Sequence, residues 1–128
     1  MTRWGILGSG RIARKFASDL KHVKDSELIA IGSRSLENAE AFAAEFPVAH
    51  KHASYEALVQ NNKVDVIYIA TPHNLHYENT LLCLNHNKAV LCEKPFAMNI
   101  SQTRAMIRLA REKKLFLMEA LWLSLIHI

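Results

Sequence analysis

A doubly wound α/β sheet is the fold class predicted for this 128-residue chain, on three observations. Apolar strand-like runs alternate with helix-like segments from end to end, the pattern that builds a parallel sheet covered on both faces. One run, Val64-Asp-Val-Ile-Tyr-Ile-Ala70, is almost continuously apolar, as expected of a strand buried on both sides. The first run, Trp4 to Leu7, passes into Gly8-Ser-Gly10-Arg-Ile-Ala13 at the mouth of a helix. In that strand–turn–helix setting the glycines permit a tight turn and close approach of backbone to a pyrophosphate, whose charge is met by free helix N–H groups.

The elements follow in order. Arg3 to Leu7 reads as a strand and Arg11 to about Lys21 as a helix, with Ile12, Phe16 and Leu20 at four-residue spacing on its apolar face. Glu27 to Ser33 reads as a second strand, completing a βαβ unit. Leu36 to Glu45 is an Ala- and Glu-rich helix stopped by Pro47, and Ser54 caps a short helix reaching Gln60. His50 and His52 read as exposed loop residues between them. After the Val64–Ala70 strand, Leu75 to about Asn85 is helical, with Leu81, Leu82 and Leu84 as core residues. Ala89 to Cys92 is a strand, Ile100 to Lys113 a helix opened by Asn99 or Ser101, and Leu115 to Met118 the last strand.

Size and composition agree with one globular domain: the chain is long enough for a single core and too short for two. Half of the residues are hydrophobic and 22% are charged. The net charge of +4 is spread without a basic block, which argues against nucleic acid as a partner and suits an anionic ligand. Cys83 and Cys92 lack zinc-site or redox-pair spacing and read as reduced thiols of a cytoplasmic protein. There is no secretory pattern at the N-terminus and no apolar stretch long enough for a bilayer, since Glu119 interrupts Leu115 to Leu125. His73 and His76 are three apart, but no third ligand accompanies them, so no metal is expected.

After the second strand the chain offers Gly32-Ser33-Arg34-Ser35, where a carboxylate would hold the ribose hydroxyl of NAD. Ser33 can donate to a 2′-phosphate and Arg34 can pair with it or stack on adenine, so NADP is favoured, with NAD as the alternative. An ordinary role remains open: Arg34 as a solvated loop residue and Ser35 as the cap of the next helix.

The strand ending Val90-Leu-Cys-Glu93-Lys94-Pro95, following a GxGxxA element, resembles the Gfo/Idh/MocA oxidoreductase family. Ala70-Thr-Pro-His-Asn-Leu-His76 is similar to that family's Thr-Pro-x-x-x-His element, and the resemblance runs from Thr2 to Trp122. With Phe116-Leu-Met-Glu-Ala-Leu-Trp122 it is similar to the branch containing dimeric dihydrodiol dehydrogenases and NADP-dependent D-xylose dehydrogenases. The resemblance implies an NADP-dependent dehydrogenase acting on a hydroxyl or carbonyl carbon of a sugar, polyol or dihydrodiol, with Lys94 as the catalytic residue. Lys94 would polarise a substrate hydroxyl or relay its proton, helped by burial beside the nicotinamide that lowers its pKa. Gly8, Gly10, Arg11 and Ile12 are assigned to the pyrophosphate, Ser33 and Arg34 to the 2′-phosphate, and Thr71, His76 and Glu93 to the ribose and nicotinamide end. Thr71, His73, Asn74 and His76 are expected to line the nicotinamide side; the Lys94-Pro95 bond is expected to be trans by default, with cis as the alternative because only proline makes that form cheap.

Domain organisation is then a Rossmann-type NAD(P)-binding domain over residues 1–122, with the family's second α/β domain, its substrate contacts and its oligomer face absent. Where the resemblance implies Trp-Thr-Arg-Phe, the chain reads Trp122-Leu-Ser-Leu-Ile-His-Ile128. Leu123 to Ile128 is therefore expected to be a non-native tail, of the kind a library adapter read in frame would encode. The segment alone is expected to be inactive, and the full-length parent to be a homo-oligomer acting on a small carbohydrate or cyclic diol. The competing function is a non-catalytic NAD(P)-binding sensor or scaffold, which would need the cradle but not a lysine at the strand end.

Overall fold

The computed structural model describes residues 1–120; Trp122 and the tail from Leu123 to Ile128 lie outside the described residues. The strands are β1 (Thr2–Leu7), β2 (Ser26–Gly32), β3 (His50–His52), β4 (Val66–Ile69), β5 (Ala89–Glu93) and β6 (Leu117–Ala120). The helices are α1 (Arg11–Leu20), α2 (Leu36–Glu45), α3 (Tyr55–Val59), α4 (His76–Asn85) and α5 (Ile100–Lys113), with a single 3₁₀ turn at His73–Leu75 leading into α4. All strands are parallel in the order β3-β2-β1-β4-β5-β6, so the chain winds outward in both directions from the β1/β4 pair.

Side-chain alternation on the strands feeds two cores. One holds Leu7, Ile67, Ile69, Val90 and Cys92 with Leu58, Leu84 and Ala110 of α3, α4 and α5. The other holds Ile6, Ile31 and Tyr68 with Ala13, Phe16, Ala17 and Leu20 of α1 and Ala39 and Phe42 of α2. Ile67, Tyr68 and Ile69 are each fully buried, so β4 is covered on both faces, as its apolar run predicts. Both cysteines are buried free thiols, and burial pushes Cys92 up to about 12 and Cys83 up as well.

The helix starts follow the capping chemistry of the sequence. Ser35, Ser54 and Asn99 each accept a hydrogen bond from a backbone N–H in the first turn of α2, α3 and α5. Each such cap is worth about 1 kcal/mol.

Several expectations need correction. His50 and His52 belong to β3, an edge strand held by pairing with Ala30 to Gly32 rather than by its own side chains. Their rings stack in parallel with centroids 6.3 Å apart, and Asn61 contacts His52 at 3.2 Å. The buried face of α1 is Ala13, Phe16, Ala17 and Leu20, while Ile12 is 50% exposed. The last strand begins two residues later than expected because α5 unwinds through Lys114, at φ +55°, with Leu115 N–H donating to Ala110 O and Lys114 N–H to Arg111 O. That is a left-handed helix terminus, built here without glycine. Of the Leu81, Leu82 and Leu84 stripe, Leu84 is fully buried and the other two are half-buried. The Lys94-Pro95 bond is cis rather than trans.

At the opposite end of the sheet from the Gly8 turn, buried Lys88 donates to the carbonyls of Asn61 (2.7 Å) and Val64 (2.8 Å), fixing the approach to β4. Nearby, Asp65 accepts from the backbone N–H of Arg3 at 2.8 Å, which holds its carboxyl below the ordinary range. A carboxyl with a lower pKa in the folded state stabilises the fold above its unfolded value, and that contribution is lost as pH falls through the folded value. The expected outcome is that Asp65→Asn flattens the acid limb of the stability curve below about pH 4, measured by urea unfolding at stepped pH; a limb identical to that of the parent chain would contradict it.

Candidate functional site

The crossovers from β1 and β4 leave the sheet on opposite faces, opening a crevice beyond their carboxyl ends, where ligands of such sheets bind. A cavity of about 430 Å³ occupies it, lined by residues of the β1–α1 turn, the end of β2, the segment after β4 and the end of β5.

At the first of these walls Gly8 has φ +101°, and a Cβ there would lie 2.8 Å from the Ala70 carbonyl oxygen. Only glycine meets both constraints. Gly10 differs: a Cβ on it would meet nothing within 4 Å, so the space beside it is open toward the cavity. Gly10 is also the residue before α1, which has no side-chain cap and no acidic residue in its first turn. The first N–H groups of α1 therefore remain available to an anion. Arg11 and Ile12 line the cavity at the same helix start, which places Ile12 where its exposure serves the hollow rather than the core.

The second wall contains Ser33, 4% exposed, and exposed Arg34. Ser33 Oγ lies 3.4 Å from Ser9 Oγ, joining the two turns. Ser35 Oγ accepts from Asn38 N–H at 3.2 Å, the capping role anticipated for it. Asn38 and Tyr55 also face the cavity and were not among the expected residues. Burial raises the Tyr55 phenol while the nearby Arg34 charge opposes this, so the two side chains share one neighbourhood. Polar residues on α2 and α3 carry no periodic signal that would have singled them out.

On the third wall Thr71 donates from Oγ1 to Asn79 Oδ1 at 2.6 Å, both side chains being buried. With its proton turned inward, the hydroxyl can face a ligand only as an acceptor. His76 is fully buried, with Nδ1 2.6 Å from the Pro95 carbonyl and Nε2 2.9 Å from that of Thr71. A neutral ring donates to one of them and a protonated ring to both. His76 thus ties the segment after β4 to the turn after β5 and presents no free nitrogen. His73 lines the cavity beside it, whereas exposed Asn74 does not. Among the described residues no three His, Cys, Asp or Glu side chains converge in a way that would hold a metal.

Glu93, 6% exposed, closes the far end and is bonded to the hydroxyl of fully buried Tyr68. Ile12, His73 and Glu93 are shared with an adjoining hollow of about 570 Å³ that also contains Lys94, Pro95 and Glu119. Gly10 and Lys94 therefore line neighbouring hollows on the same side of the sheet, joined through Ile12, His73 and Glu93. Lys94 is exposed, so the described residues do not supply the burial expected of it. Glu119 accepts from Phe96 N–H at 2.8 Å and holds the turn that follows Lys94. The recess is cationic at Arg11 and Arg34 and anionic at Glu93.

The glycines divide the work in a measurable way. Gly8→Ala is expected to cost at least about 2 kcal/mol in urea unfolding, through strain and a backbone clash. Gly10→Ala is expected to stay within about 1 kcal/mol of the parent yet lose affinity for a dinucleotide. Equal destabilisation by both would refute this division.

A family model, Oxidoreductase family, NAD-binding Rossmann fold, matches residues 2–121. Trans-1,2-dihydrobenzene-1,2-diol dehydrogenase of Mus musculus is 44% identical over 122 residues, covering 94% of this chain and 37% of that protein. The Xenopus laevis protein of the same name is 42% identical over 123 residues, with the same coverage. Among solved structures, a 3-ketoreductase from Actinomadura kijaniata in complex with NADP superposes with a TM-score of 0.88 at 33% identity, covering 92% of this chain and 38% of that one. Biliverdin reductase from Synechocystis, in complex with biliverdin and NADP+, superposes with a TM-score of 0.84 at 30% identity, covering 92% and 37%. The chain spans little more than a third of the length of the curated relatives it matches.

Proposed function

The chain belongs to the Gfo/Idh/MocA oxidoreductase family, and on that premise we propose that it is the NADP-binding part of a dehydrogenase. The parent enzyme would move a hydride between nicotinamide and a hydroxyl or carbonyl carbon of a sugar, polyol or dihydrodiol. The observation that carries this reading is the cavity running from an uncapped helix start, past Ser33 and Arg34, to Glu93, with Lys94 in the adjoining hollow that shares Glu93. It is supported by the dihydrodiol dehydrogenase relatives and by the NADP-bound structural neighbours.

The residues present fit NADP. Open space beside Gly10 and the free N–H groups of α1 suit a pyrophosphate. Ser33 and Arg34 replace the carboxylate that would repel a 2′-phosphate, and Arg34 beside Tyr55 can bracket the adenine. Glu93, Thr71 and His73 meet the nicotinamide end, where a carboxylate suits a ring that is cationic when oxidised. Bound nicotinamide supplies the hydride acceptor or donor. Lys94 holds the substrate oxygen and moves its proton, Glu119 steadies the turn carrying that lysine, and His76 braces the turn against the segment after β4. The reading extends to a small-molecule substrate and, for the parent protein, a homo-oligomer. No helix of the described residues is long and apolar enough to cross a membrane.

Arg34→Ala is expected to weaken NADPH binding about 10- to 100-fold and NADH binding much less, since charge-assisted phosphate bonds contribute about 1.5–3 kcal/mol and only the adenine contact is common to both. Fluorescence titration of the two reduced cofactors reads this directly, and equal NADPH and NADH affinities in the parent chain would count against the 2′-phosphate site. In the full-length protein Lys94→Ala is expected to lower kcat by at least about 100-fold with cofactor affinity nearly unchanged; unchanged turnover would favour a sensor instead.

A further inference from the structure

Tyr68 lies at the centre of β4 with no exposed surface, a position that phenylalanine would fill equally well on packing grounds. Its ring stacks on Phe16 of α1, with centroids 3.9 Å apart and planes 11° from parallel, and Phe16 in turn meets Trp4 at 5.4 Å. Its hydroxyl needs a partner, because an unpaired buried hydroxyl is destabilising. That partner is the Glu93 carboxylate, one strand over. β4 and β5 pair with Tyr68 opposite Leu91, so Glu93 lies diagonally ahead on the same face and projects into the recess. Among the described residues Glu93 has no ion-pair partner.

We propose that Tyr68 is a positioning residue that sets the Glu93 carboxylate at the nicotinamide end of the recess and couples it, through Phe16, to the helix that receives the pyrophosphate. This rests on the reading of the recess as an NADP site. The carboxylate is constrained through the phenol on one side, leaving its remaining lone pairs for the hydroxyls of a ribose or for the carboxamide of the ring. The phenol is fixed by the stack, and the stack belongs to α1, whose N-terminal turn forms the cradle. One rigid path thus spans the two ends of a ligand that has to be gripped at both.

The test compares Tyr68→Phe, Glu93→Ala and the double variant in the intact chain, each titrated with NADPH and with 2′,5′-ADP, which lacks the nicotinamide end. Tyr68→Phe is expected to weaken NADPH about tenfold, as for a bond to a charged group, with 2′,5′-ADP unchanged. Glu93→Ala is expected to show the same selective loss, and the double variant to be no weaker than Glu93→Ala alone. Equal loss of both ligands in Tyr68→Phe, additive losses in the double variant, or unaltered NADPH affinity would each overturn the proposal. So would a Tyr68→Phe chain that does not fold, since the hydroxyl would then serve the core. A parent chain that binds neither ligand overturns the NADP reading itself, an outcome distinct from selective failure at the nicotinamide end.

Discussion

The contact on which this architecture turns is backbone against backbone, where the Gly8 turn passes the carbonyl of Ala70 too closely to admit any side chain. Gly8 N–H donates to Gly32 O at 2.9 Å and Ala70 N–H to Leu7 O at 2.9 Å, so the ends of β2, β1 and β4 are stitched together at this point. The crevice exists because the chain leaves those three ends in different directions. Its depth is set by how tightly they meet. Substituting bulk at Gly8 would spread the strand ends and withdraw the N–H groups of α1 from the position they share with Ser33 and Thr71.

Most of the fold was legible because its strong signals are local. The β4 run, the Ser35, Ser54 and Asn99 caps and the glycine turn each state their structure within a few residues. β3 was not legible: His50-Lys51-His52 has no apolar alternation, and it is a strand because β2 offers an edge to pair with. Ile12 misled for a related reason. Helical spacing groups it with Phe16 and Leu20, but Ala13 and Ala17 let α1 approach the sheet on a slightly rotated face, which leaves Ile12 at the rim of the recess.

The candidate site divides along the same line. Glycines, the Ser33-Arg34 pair and the Glu93-Lys94 pair announce themselves at strand ends, where the topology gathers them. The contributions of Tyr55, Asn38, Asn79 and Tyr68 depend on which face meets which neighbour, information that emerges only when the layers are packed. His76 lies between the two groups. Its place in the motif points to the recess, yet its ring is occupied with carbonyls on both sides, so it acts on the site by holding two loops in register.

The two thiols, enclosed in one core and held in their protonated form, have a practical corollary. A disulfide reagent added to the native molecule finds no sulfur at the surface, so modification must wait for the region around α4 and β5 to open. The rate of colour development in such an assay is then a direct measure of local breathing on the flank that carries Lys94. A dinucleotide bridging that flank to the rest of the sheet would register as slower colour, without any engineered probe.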